Sequence, residues 1–140
     1  MRTTWKVLIV LLLLVFALGY AFTGTPTFGR KVALRDAPVT SIELSWLSTR
    51  REIKASNVCS EVLHTLQKAR DGGPVHLCPV FGTLIIHYAD GTTNGFALMP
   101  GHRINRLDLV DVSGSGMYSI SMGEMFGTLE SVGLLTKDRK

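Results

Sequence analysis

An N-terminal hydrophobic helix followed by one small α+β domain, with an antiparallel sheet of about five strands packed on two helices, is the architecture that this sequence predicts. Three observations carry that reading. Val7 to Leu18 is an unbroken apolar run, continued by Gly19-Tyr20-Ala21-Phe22. Several segments between Val39 and Ile120 alternate apolar and polar residues and are punctuated by turn residues, as half-buried strands are. Two further segments, one beginning near Ser56 and one near Ser121, change to the three-to-four spacing of amphipathic helices.

The first element is a leader. Arg2 and Lys6 precede the leucine-rich run, and Thr23-Gly24-Thr25-Pro26 follows it, which is the three-part layout of an export signal. Small residues at Gly19 and Ala21 place a signal-peptidase cut after Ala21. As an uncut helix, residues 7–22 would rise about 24 Å, just short of a bilayer core of about 30 Å. Trp5 on one side and Tyr20 and Phe22 on the other suit the two water interfaces of such an anchor. Residues 1–22 are therefore a signal anchor or a signal peptide, and both readings place the rest of the chain outside the cytoplasm, in the membrane-bound or the secreted form. The apolar run is followed by no lipid-attachment cysteine. Residues 23–35 read as a linker, 36–136 as the domain and 137–140 as a basic tail.

Within the domain, Val39 to Leu47 alternates as a strand, Ser48 to Arg51 makes a polar turn, and Glu52 to Ala55 is its short return strand. Ser56 or Asn57 offers an N-cap for a helix built on Val58, Val62, Leu63, Leu66 and Ala69. Asp71-Gly72-Gly73-Pro74 terminates that helix. Thr83 to Tyr88 and Thr92 to Met99 flank Asp90-Gly91, which predicts a tight hairpin with both central residues at positive φ. Arg103 to Val110 alternates as a further strand whose Ile104, Leu107 and Leu109 point to the core. Ser113-Gly114-Ser115-Gly116 turns the chain into a short Met117 to Ile120 strand. Ser121 and Glu124 then have the spacing of a capping box for a last helix through Met125, Leu129, Val132 and Leu135.

In this order of elements, with Tyr88-Ala89-Asp90-Gly91-Thr92 as the central hairpin and Tyr118-Ser119-Ile120 before the closing helix, the chain resembles small, mostly uncharacterised bacterial envelope domains. The resemblance covers most of Val39 to Leu135. Its motifs belong to turns and caps, so it implies a fold and an envelope location and no function.

Charge narrows the function classes. The chain carries fifteen Lys/Arg and eleven Asp/Glu, and Arg2 and Lys6 belong to the leader. A near-balanced domain is no nucleic-acid footprint. Arg50, Arg51 and Lys54 read as a solvated edge. No cofactor motif is present, and the Ser113 to Gly116 turn lacks the Lys and the strand-loop-helix setting of a phosphate-binding loop.

Cys59 and Cys78 form a candidate disulfide outside the cytoplasm, closing a loop worth about 3 kcal/mol on the chain-entropy model; two buried free thiols are the alternative. Cys59, Cys78, His76 and His87 supply the atoms of a zinc site, although their spacing matches no common zinc pattern. Cys59 near a helix N-terminus is also a candidate nucleophile, but His64, five residues on, lies on another face. His102, Arg103 and Arg106 form a candidate anion-binding corner. Asp108 and Asp111 are three apart on a strand, face opposite sides, and are no acid-base pair. Trp46, Met117, Met122 and Met125 read as packing residues. The expected function is a non-enzymatic module that uses residues 7–22 at the membrane and binds another envelope protein; the alternative is a metal- or thiol-dependent enzyme.

Overall fold

In the computed structural model the described residues are 30–136, apart from 76, 77 and 115. The expected leader helix and basic tail lie outside them. Among the described residues no helix is long and apolar enough to cross a membrane.

Alternation writes the sheet. Ile42 and Leu44 of β1 (Val39–Trp46) are buried on one side of the strand. A short turn at Leu47 and Ser48 leads to β2 (Thr49–Ile53), with Trp46 opposite Thr49. Leu47 takes the left-handed region at φ 52 with its side chain 82 % exposed. Helix α1 (Ser56–Leu66) turns Cys59, Val62, Thr65 and Leu66 inward. Strand β3 (Arg70–Gly73) follows, then β4 (Gly82–Tyr88), β5 (Thr93–Pro100), β6 (Arg106–Asp111) and β7 (Met117–Ser121). Helix α2 (Met122–Ser131) starts at Ser121, whose Oγ accepts from the Glu124 amide at 3.4 Å, as the capping-box spacing predicts.

The sheet is antiparallel and has seven strands, in the order β2-β1-β4-β5-β6-β7-β3, where the sequence predicts about five. The strand missed by the sequence reading is β3, built from the residues read as a helix stop and turn. Its pairing with β7 comes from backbone contact rather than side-chain pattern. A Cβ on Gly72 would stand 3.1 Å from the Tyr118 carbonyl carbon, and Gly73 takes φ +92 where the register shifts. Glycine, ordinarily a strand breaker, is here what lets the edge strand approach.

Both helices share one face. Ile42, Leu44, Leu84, Ile86, Phe96, Leu98, Leu107, Leu109, Tyr118 and Ile120 project from the sheet into a single core with Val62, Leu66, Met125 and Leu129 of the helices. Each such side chain contributes about 1.5–3 kcal/mol. Thr65 and Thr128 hydroxyls lie 2.9 Å apart between the helices, and Lys68 pairs with Glu124 at 3.1 Å. Trp46 packs edge-on against Phe126 with ring centroids 5.4 Å apart and tilts against Phe81 at 5.8 Å. Met125 is in the core, Met122 packs against it, and Met117 is buried.

Several local expectations change. The turn read at Ser48 to Arg51 is confined to Leu47 and Ser48, so the return strand is Thr49–Ile53 rather than Glu52 to Ala55. The N-cap of α1 is Ala55, which makes no side-chain cap bond, rather than Ser56 or Asn57. The β4–β5 turn closes over Ala89, Asp90 and Gly91, with Gly91 N donating to Tyr88 O and Tyr88 N to Thr92 O, both at 3.0 Å. Only Gly91 has positive φ there, so the loop is three residues long instead of two. Strand β6 begins at Arg106, because Asn105 turns the chain at φ 60; Ile104 consequently stands 91 % exposed rather than in the core.

Candidate functional site

The sheet face that neither α1 nor α2 covers, the helix-free face among the described residues, carries the chemistry that the fold leaves available. Residues facing it alternate with the core positions: Ser41 and Glu43, Ile85 and His87, Gly95, Ala97 and Met99, Arg106, Asp108 and Val110, Met117 and Ser119, and Arg70. Among the described residues, two concavities lie on or beside it.

The first is polar. Pairing sets Asp108 opposite Ser119, and Ser119 opposite Arg70, so one row crosses β6, β7 and β3. Arg106 reaches along that row, its Nε donating to Ser119 Oγ at 3.1 Å and its Nη2 to Ser119 O at 2.8 Å. Arg70 is held by the end of α1, donating from Nη1 to Gln67 O at 2.9 Å and Ala69 O at 3.1 Å. The β5–β6 turn adds His102 and Arg103. Gly101 N bonds Arg106 O at 2.9 Å, an approach closed to a residue with a Cβ. Asp108 is only 3 % exposed and its Oδ2 lies 3.9 Å from His102 Nδ1. Together with Asp71 and Gly72 these residues line a cavity of about 240 Å³. His102, Arg103 and Arg106, the candidate anion corner, thus line one cavity with Arg70, Asp108 and Ser119. Arg70 was invisible to the sequence reading because its strand was.

The second is apolar and broader. Thr83, Ile85, Thr93, Gly95 and Val112 line a depression of about 430 Å³, bounded by Asn94, Asp111 and Ser113. Gly95 leaves the space: a Cβ there would lie 3.3 Å from Val112 Cγ2. Val112, 68 % exposed, is fixed by its amide bond to Gly95 O at 2.9 Å. Asp111 Oδ1 accepts from Ser113 N at 2.8 Å and Ser113 Oγ at 2.7 Å, so this aspartate shapes the β6–β7 turn.

The cysteine and histidine candidates are dispersed. Cys59 is buried on the helix side of the sheet, its Sγ directed to Ile53 O at 3.8 Å. Burial pushes its thiol pKa up, the reverse of what a nucleophile needs. His64 is on the exposed side of α1. His87 lies on the opposite face of the sheet, 4.0 Å from Glu43, which Arg50 pairs at 2.6 Å. The sheet therefore separates Cys59 from His87. Cys78 is half-buried in the segment before β4, both thiols are free, and His76 lies outside the described residues. Among the described residues no three His, Cys, Asp or Glu side chains are grouped to hold a metal.

No known protein family, curated protein or solved structure matches this chain.

Proposed function

We propose that this protein is a non-catalytic binding module of the cell envelope. Residues 7–22 hold it at the membrane, or are cut after Ala21 to release it, with the domain outside the cytoplasm. Its partner is another envelope protein that docks on the helix-free face of the sheet. The observation that carries this reading is the apolar depression over Gly95, where Ile85 and the exposed Val112 are preformed for a complementary side chain. The face is favoured over strand addition at an edge: β2, one outer strand, presents Arg50, Arg51 and Glu52 to solvent, charges that discourage pairing. Dispersal of Cys59 and His87 to opposite faces speaks against the metal- or thiol-dependent enzyme built on Cys59, Cys78, His76 and His87.

Photo-crosslinking in intact cells tests the proposal. A benzophenone side chain at Val112 should give a discrete adduct with a second protein, and the same probe at Glu130 on α2 should not. Adducts that are absent at Val112, or equal at both positions, would overturn it.

A further inference from the structure

We infer that the arginine-lined cavity receives the phosphodiester of an anionic lipid headgroup, an inference that rests on the membrane placement proposed above. The charges select the ligand. Among the described lining residues the three arginines Arg70, Arg103 and Arg106 stand with the two aspartates Asp71 and Asp108, a surplus of one formal positive charge. A phosphodiester carries one negative charge.

The geometry is built for planar recognition of phosphate oxygens. Arg106 spends two N–H groups on Ser119 and keeps three, in a fork already fixed by those bonds. Arg70 is fixed in turn by the carbonyls of Gln67 and Ala69. Guanidiniums held before the ligand arrives lose little side-chain freedom on binding.

The surroundings favour a lipid as the source of the phosphodiester. Ile104, 91 % exposed, stands at the tip of the β5–β6 turn between Arg103 and Arg106. An apolar tip flanked by cations matches the bilayer interface, where the side chain enters the acyl boundary and the guanidiniums stay among the phosphates. The chain path agrees. Lys31 pairs with Arg70, so the polypeptide enters the domain beside the cavity. The eight residues 23–30 join Lys31 to the apolar run, a span of at most about 29 Å.

Hydrogen exchange of the full chain in lipid nanodiscs tests this. Exchange is compared in phosphatidylcholine, in phosphatidylcholine mixed with phosphatidylglycerol, and in phosphatidylcholine with soluble glycerophosphoglycerol added. Amides 101–106 should exchange roughly fivefold more slowly in the phosphatidylglycerol discs alone. Arg106→Ala should abolish the slowing, and so should Arg103→Ala, whose exposed side chain can be removed without disturbing the Ser119 bonds. Unchanged protection of β4 and β5 shows that each variant is folded. Slowing by the soluble headgroup equal to that by the lipid would overturn the lipid as the source. Equal exchange in all three conditions, with the chain still in the discs, would overturn the cavity proposal and leave the membrane placement standing. Recovery of the chain outside the discs would overturn that placement and the lipid proposal with it.

Discussion

Asp90 acts on the β4–β5 hairpin through its ionised carboxylate, which accepts from Thr92 Oγ1 at 2.5 Å and Thr92 N at 2.9 Å. The side-chain bond from Thr92, then the backbone one, hold its pKa below the ordinary carboxylate range. A depressed folded pKa contributes stability that is present above the unfolded value of about 3.9 and is lost as pH falls through the folded one. Asp90→Asn keeps an acceptor oxygen and removes the charge. Its deficit against the parent should be constant between neutral pH and about pH 5 and shrink below about pH 4. Urea titrations across that range measure it, and a deficit unchanged down to the acid end would refute the assignment. Neighbouring Tyr88 shows the same economy in a buried setting: its hydroxyl accepts from Arg35 N at 3.3 Å and donates to Asn94 Oδ1 at 2.8 Å. Burial raises its pKa, which keeps it a neutral donor.

At the level of elements, what could be read in the sequence was what side chains decide. Val62 and Leu66 mark α1 by their spacing, Ser121 and Glu124 mark the start of α2, and Leu84, Ile86, Phe96 and Leu98 mark paired strands, because each pattern is repeated burial against one core. Strand β3 escaped because Arg-Asp-Gly-Gly has no such pattern; the backbone of β7 makes it a strand. The β3 side of the polar cavity escaped with it, since Arg70 is brought beside Ser119 only across that pairing. The apolar depression was illegible for another reason, depending on a side chain that Gly95 lacks. Helix α1 also shows a defect. Its N-cap Ala55 makes no side-chain bond, and its first turn has no acidic residue. Ala55→Asp should stabilise the protein by about 1 kcal/mol by accepting from a free amide of the first turn and opposing the helix dipole. Chemical denaturation measures this, and no gain would mean that the cap position is set by the β2–α1 connection instead.

On the scale of the molecule, the sheet is protected differently along its two borders. β2 is guarded by charge, whereas β3 is bridged through Arg70 to Lys31, so the chain's entry covers the edge opposite the first hairpin. From there residues 31–38, the first five of which read in sequence as linker, run along the core. Val32 is 7 % exposed within it, Leu34 and Ala37 pack against it, Arg35 N meets the Tyr88 hydroxyl, and Ala89 N bonds Pro38 O at 2.8 Å. Under the membrane attachment proposed above, a pull from the N-terminal side reaches Val32 and the Lys31–Arg70 bridge, and through them β3 and the cavity beside it. Val32→Ala should then cost about 2 kcal/mol, the loss of two buried methyl groups with the space they leave. Arg30→Ala, one residue before the packed segment and exposed, should change stability by less than about 0.5 kcal/mol. Equilibrium unfolding of the two variants separates the alternatives. Equal, small effects would make residues 30–35 a spacer, and a loss confined to Val32 would make the segment from Val32 onward part of the folded domain.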